Sequence, residues 1–205
     1  MKDKPRPVIE ILAATGNKGK LHEIETLFRD SRLPVKLYFL PDFGIQAKCP
    51  ETGATFIENA VQKSLFYGRQ VPGVYTIGED SGLMVEALNG APGIYSSRYS
   101  DPGATDERNI VKLLEQLRDI ENRRAKFVTG ACISRNGEVL AMFSGEVEGV
   151  ILRQKHGKGG FGYDPVFYYP PAGKTFAELT AEEKNRFSHR ARAFARVKEF
   201  LEKLI

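Results

Sequence analysis

Short apolar runs alternate with stretches in which apolar residues recur every three or four positions, and this alternation predicts a mixed α/β chain. Residues 8–14 (VIEILAA) form a compact apolar run that reads as a buried first strand. It feeds straight into Thr15-Gly16-Asn17-Lys18-Gly19-Lys20, after which Leu21, Ile24, Leu27 and Phe28 repeat at helical spacing. A second strand is expected over 34–39 and a loop over 41–50. Residues 51–55 then introduce a helix whose apolar face is Ile57, Ala60, Val61 and Leu65.

The second half keeps the same grammar. Thr76-Ile77 opens a strand that is expected to end at two adjacent acids, Glu79 and Asp80, followed by Ser81-Gly82 and a new apolar run, 83–85. Ala91-Pro92-Gly93 marks a turn, and Thr105 caps a helix with Ile110, Leu113, Leu114 and Leu117 on its buried stripe. Residues 125–134 and 139–144 alternate as strands around Asn136-Gly137, the favoured centre of a two-residue type I′ hairpin. One more strand is expected over 147–152. Thr180 to Glu183 fits a capping box, and Ser188 reads as the N-cap of a last helix with Ala191, Phe194, Val197, Leu201 and Leu204 on its apolar face.

Bulk properties narrow the class. The 205 residues are read as one domain, 1–205, and a hydrophobic share of 41% suffices for a core. The formal net charge of +4 suits an anionic ligand but is too small to argue for nucleic acid by itself. Cys49 and Cys132 lie far apart without metal-ligand spacing, which suggests reduced thiols and a cytoplasmic setting. The first residues, MKDKPRP, lack a signal peptide's apolar centre, and no run reaches membrane-spanning length.

Three stretches carry candidate chemistry. Strand, glycine-containing polar turn, helix: the arrangement at 15–20 aims backbone N–H groups and a positive helix end at an anion, although Walker A spacing is absent. An ordinary capped turn would read the same way. The acids at 79–80 sit beside small residues, which suits oxygen ligation of Mg²⁺ close to phosphate; a solvated turn is the alternative. Glu51, just before or at a first helical turn, fits either a helix dipole or a third metal ligand. The glycine-rich loop 156–165 places Phe161 and Tyr163 where either ring could stack on a planar base. His189 and Arg190 fall at the first turn of the last helix.

Five collinear motifs resemble the Ham1/inosine triphosphate pyrophosphatase family: TGNKGK at 15–20, ETGATFIENA at 51–60, EDSGL at 79–83 with GAPGIYSSRY at 90–99, GGFGYDPVF at 159–167, and SHRARA at 188–193. The resemblance implies an elongated α/β fold, a long twisted mixed sheet with two lobes flanking a central cleft, usually as a homodimer. It implies Mg²⁺-dependent hydrolysis of ITP, XTP and their deoxy forms to a nucleoside monophosphate and pyrophosphate, keeping such nucleotides out of DNA and RNA. Carried over, Thr15, Gly16, Asn17, Lys18, Gly19 and Lys20 bind the triphosphate; Asp80 holds the metal and accepts a proton; Glu51 assists the metal; and Ser81 contacts substrate. Phe161, Gly162, Tyr163, Asp164, Lys184, His189 and Arg190 bind the base and nearby groups. Glu79 stands where the family often has Asp, and His156 where an arginine is common.

Two rival readings are weighed. A Maf-like nucleotide pyrophosphatase has related chemistry, but the GGFGYDP and SHR segments favour Ham1. A nucleic-acid module could use Arg186, Arg190, Arg192, Arg196, Lys198 and Lys203, yet Glu199 and Glu202 interrupt them as on a solvated helix face. No stable nucleic-acid binding is expected.

Overall fold

Seven strands form a mixed sheet in the computed structural model, which describes residues 7–29, 31 and 33–204. The strands are β1 (Ile9–Ala14), β2 (Val35–Phe39), β3 (Tyr75–Val85), β4 (Arg124–Arg135), β5 (Glu138–Ile151), β6 (Phe167–Tyr169) and β7 (Lys174–Thr175). Their order is β2-β1-β3-β4-β5-β6-β7. β1 runs parallel to both β2 and β3, whereas β5, β6 and β7 pair antiparallel. The helices are α1 (Lys18–Arg29), α2 (Phe56–Gly68), α3 (Asp106–Gln116), the one-turn α4 (Ala181–Lys184) and α5 (His189–Glu202).

The chain folds as two compact units. The first takes its described residues from Met1–Asp80, Gly130–Ser144 and Arg192–Ile205, the second from Ser81–Thr129 and Gly145–Ala191. Each has an apolar centre of its own. In the first, Leu12 and Ala14 of β1 pack with Leu40, Tyr67, Val71 and Val74. In the second, Leu83, Val85, Leu113, Phe127, Val147 and Phe167 belong to one cluster with Tyr163 and Phe176.

Most local expectations hold. Asn136 and Gly137 both have positive φ (53° and 82°), as a type I′ turn demands. Thr105 and Thr180 accept the predicted N-cap hydrogen bond from the backbone three residues on, and Thr55 does the same for α2. Two strand boundaries differ. β3 does not end at the acids but continues through Glu79, Asp80, Ser81 and Gly82 to Val85. The two strands expected over 139–144 and 147–152 are a single fourteen-residue strand, β5.

The buried face of α2 also differs from the expected Ile57, Ala60, Val61 and Leu65. It consists of Phe56, Asn59, Ala60, Lys63, Ser64, Tyr67 and Gly68, while Ile57, Val61 and Leu65 are half-buried. The physical reason lies on β3. A Cβ on Gly78 would come within 2.1 Å of the Ala60 carbonyl oxygen and 2.5 Å of the Ser64 nitrogen. Helix backbone therefore rests directly on strand backbone, and the polar row through Asn59 and Lys63 turns inward. Among the described residues no helix is long and apolar enough to cross a membrane.

Candidate active site

In the first unit, β1 ends at Ala14, whose partner on the parallel strand β3 is Gly78. The turn leaving β1 and the acids following Gly78 therefore sit at the same level of the sheet. The turn is closed locally: Thr15 Oγ1 accepts the Asn17 N–H at 3.2 Å, and Asn17 Oδ1 accepts the Lys20 N–H at 3.0 Å. Asn17 thus caps α1, whose first-turn amides lack intrahelical partners as at any helix start. Gly16, Asn17 and Lys18 are exposed, and Gly19 is half-buried. Lys20 turns inward: its ammonium lies 2.9 Å from the Glu79 carboxylate and 4.0 Å from that of Asp80.

The acids themselves are buried, Glu79 at 1% and Asp80 at 6% exposure. Such charges persist only when paired. Beyond Lys20, the pairing comes from α2. The Lys63 ammonium lies 2.9 Å from Asp80 Oδ1, 3.1 Å from Glu51 Oε2 and 3.3 Å from the Glu79 carbonyl oxygen. Burial works against a charged lysine, but Asp80 and Glu51 outweigh it and raise the Lys63 pKa above its ordinary value. Asn59 Nδ2 donates to the other Asp80 oxygen at 3.1 Å.

Glu51 does not lie in a first helical turn. α2 starts at Phe56, and it is Glu58 that occupies the turn and accepts the Ala54 N–H at 2.8 Å. The dipole explanation for Glu51 therefore falls, and its carboxylate faces Lys63 instead. Sequence reasoning missed both Asn59 and Lys63. Their signal was present: two polar residues four apart, flanking Ala60 on one helical face.

Three carboxylates face two ammonium groups here, a formal excess of one negative charge. Among the described residues no three or more Asp, Glu, His or Cys side chains gather as a metal cage. Mg²⁺ does not require one, since it takes one or two carboxylates and completes its shell with water and phosphate oxygens. Asp80 and Glu51 already converge on a single cation, the Lys63 ammonium, so an all-oxygen donor set with surplus charge fits a Mg²⁺ ion.

The second unit carries a separate cluster. The Asp164 carboxylate, buried, accepts the Phe161 N–H at 3.0 Å and pairs with the Lys184 ammonium at 2.5 Å. Lys184 also lies over two rings, 5.0 Å from the centre of Phe161 and 5.3 Å from that of Phe176. The Arg190 guanidinium stands 5.8 Å from the Phe161 ring and donates to Ser81 Oγ at 2.9 Å. His189 stacks on Phe127 with centroids 4.8 Å apart and planes 13° from parallel. The Gly162 N–H donates to Asp106, a loop anchor that the sequence did not reveal.

The two aromatics of the glycine loop part company. Tyr163 is a core residue whose hydroxyl donates to the Ser96 carbonyl at 2.8 Å, and burial pushes its pKa up. That placement leaves Phe161, half-buried, as the ring available for stacking. His156 is exposed, and its carbonyl accepts the Thr175 hydroxyl at 2.9 Å. Of the basic row weighed for a nucleic-acid module, Arg190, Arg196 and Lys198 have partners of their own. Arg190 is 1% exposed, Arg196 donates to the Ser144 carbonyl, and Lys198 to that of Leu27.

Comparison with known proteins gives a consistent picture. The Ham1 family model matches residues 11–200. A dITP/XTP pyrophosphatase of Staphylococcus epidermidis is 44% identical over 193 residues, covering 94% of this chain and 96% of that protein. One from Shigella flexneri is 46% identical over 188 residues, covering 90% and 93%. Among solved structures, the Ham1 protein of Staphylococcus aureus superposes with a TM-score of 0.84 at 40% identity, covering 96% of this chain and all of that one.

Proposed function

This chain belongs to the Ham1 family, and we propose that it hydrolyses non-canonical purine nucleoside triphosphates. The substrates are ITP, XTP and their deoxy forms, cleaved between the α- and β-phosphorus to a monophosphate and pyrophosphate. Removing them would keep these bases out of DNA and RNA. The observation that carries the reading is the buried Glu79–Asp80 pair held by Lys20 and Lys63 beside a helix N-terminus. The helix N-terminus offers amides to an anion, and the carboxylates beside it suit a divalent cation that would neutralise phosphate charge, the main requirements of phosphoryl transfer.

Within this reading Thr15, Gly16, Asn17, Lys18, Gly19 and Lys20 receive the triphosphate on the first-turn amides of α1 and the lysine ammoniums. Asp80 and Glu51 would hold Mg²⁺, which would supply charge neutralisation and lower the pKa of a water. Asp80 takes the proton of the attacking water. Lys63, in contact with Asp80 and Glu51, balances their charge before the metal binds. In the second unit, Phe161 is the ring that stacks on the base, with Ser81, Gly162, Tyr163, Asp164 and Lys184 shaping its surroundings. Arg190 and His189 offer donors to the 6-oxo group of hypoxanthine or xanthine, and oppose the amino group of adenine. Leaving such a donor unmatched costs roughly 1–3 kcal/mol, enough for two to disfavour ATP by about a hundredfold or more. The enzyme acts as a homodimer in the cytoplasm.

The test is a panel of ITP, XTP, GTP and ATP with Mg²⁺, scored for pyrophosphate against orthophosphate. Preferential pyrophosphate release from ITP and XTP is expected. Orthophosphate as the first product, or equal use of ATP, would reject the assignment.

A further inference from the structure

We propose that Asn59 is a positioning residue, fixing the plane of the Asp80 carboxylate and tying it to the segment that carries Glu51. This rests on the reading of Asp80 as the reacting carboxylate. Asn59 is completely buried on the inward face of α2. Its Oδ1 accepts the Gly53 N–H at 2.8 Å, and its Nδ2 donates to Asp80 Oδ2 at 3.1 Å.

These two bonds settle which way the amide faces. A backbone N–H can be met only by the amide oxygen, so the NH₂ group must point at Asp80. Lys63 holds the other oxygen, Oδ1, at 2.9 Å. With both oxygens held by different partners, the carboxylate cannot rotate about its Cβ–Cγ bond without breaking one. Were Asn59 removed, Oδ2 would lose its donor, and rotation would be restrained through Oδ1 only.

The other end of the amide acts on the loop. Gly53 lies two residues after Glu51, and a Cβ there would come within 2.8 Å of Asn59 Oδ1 and 2.9 Å of the Asn59 backbone nitrogen. The loop is thus seated directly on Asn59. One side chain carrying both a donor and an acceptor links the two segments from which oxygen ligands come. Serine is too short to span them, and aspartate keeps the acceptor for Gly53 while losing the donor to Asp80.

The test uses the full chain with Asn59→Asp, Asn59→Ser and, as a reference, Asp80→Asn. Thermal unfolding, kcat and KM for ITP, and Mn²⁺ affinity by electron paramagnetic resonance without substrate are measured. Loss of a partner that orients a ligand typically costs about 10- to 100-fold. Both Asn59 variants should lose kcat by about that factor, with KM changed far less. Mn²⁺ affinity should fall in Asn59→Ser. Should the second buried carboxylate of Asn59→Asp prevent folding, Asn59→Ser decides by the same kcat and Mn²⁺ readings. A kcat within about twofold of wild type in a folded variant, while Asp80→Asn is inactive, would overturn the Asn59 proposal alone. An active Asp80→Asn protein would overturn the underlying reading as well.

Discussion

Replacing Lys63 by methionine should make the stability of this protein depend on divalent cation. The Lys63 ammonium touches Asp80 at 2.9 Å and Glu51 at 3.1 Å from a site only 8% exposed. Removing one member of a buried charged pair costs about 3–5 kcal/mol, because the other charge is left uncompensated. The cost should be smaller here. Asp80 keeps the Asn59 donor and the Lys20 ammonium at 4.0 Å, and the Glu51 side chain, 32% exposed, can take up water. A loss of about 2–3 kcal/mol follows, or about 4–12 °C in Tm for a chain of this size. Methionine matches the four-atom stem of lysine and keeps its apolar packing, so the measured loss reports charge rather than packing. A divalent ion between the same carboxylates should return most of it, since a ligand at a hundred times its Kd contributes about 2.7 kcal/mol. The assay is thermal unfolding of wild type and Lys63→Met, each with chelator and with saturating Mg²⁺. Equal Tm values in chelator, or the same Mg²⁺ gain in both proteins, would refute the claim that ammonium and metal compete for one set of oxygens.

Other substitutions probe the supports of each cluster. Gly78→Ala would drive a methyl to 2.1 Å from the Ala60 carbonyl oxygen, costing about 1–3 kcal/mol; urea unfolding should show it, and turnover should fall further because Asn59 and Lys63 move off Asp80. Gly160→Ala meets both a positive φ of 71° and the Asp164 carboxylate 2.1 Å from the new Cβ, so Tm should fall and kcat/KM for ITP should drop about tenfold or more. A value within twofold of wild type would show that the loop does not orient the base. Burial pushes the Cys132 thiol up to about 11 from 9.0, so the fold favours its protonated form. That contribution is complete below pH 9 and is lost as pH rises through about 11, up to about 2–3 kcal/mol in all. Cys132→Ser, which does not ionise in that range, should hold its stability better in reducing urea titrations across the interval; identical losses in both proteins would exclude the thiol as the cause.

What the sequence discloses depends on how far away the cause lies. The hairpin at Asn136-Gly137, the caps at Thr105 and Thr180 and the strand–turn–helix at 15–20 are dictated by residues within a few positions of one another, and all appear as expected. The acids at 79–80 belong to another class. A strand carrying two adjacent charges through its buried interior is unfavourable on local grounds, so the pattern reads as a strand end. It becomes a strand interior only because Lys20, fifty-nine residues earlier, and Lys63 on another helix bring ammonium groups to it.

The same logic explains the misjudged face of α2. Periodicity of Ile57, Val61 and Leu65 points one way, but the close approach permitted by Gly78 turns the helix so that Asn59, Lys63 and Ser64 face inward. An apolar moment cannot foresee a face that is buried for its chemistry. Tyr163 shows the converse. Its place in a glycine loop suggests a ligand-facing ring, yet the core offers both apolar packing and a carbonyl acceptor at Ser96, which satisfies the whole side chain. Each departure therefore marks a residue whose partner comes from a distant segment. At Glu79, Asp80, Asn59 and Lys63 those distant partners are the charged and polar groups of the proposed site, so the least locally legible part of the chain coincides with its proposed reactive centre.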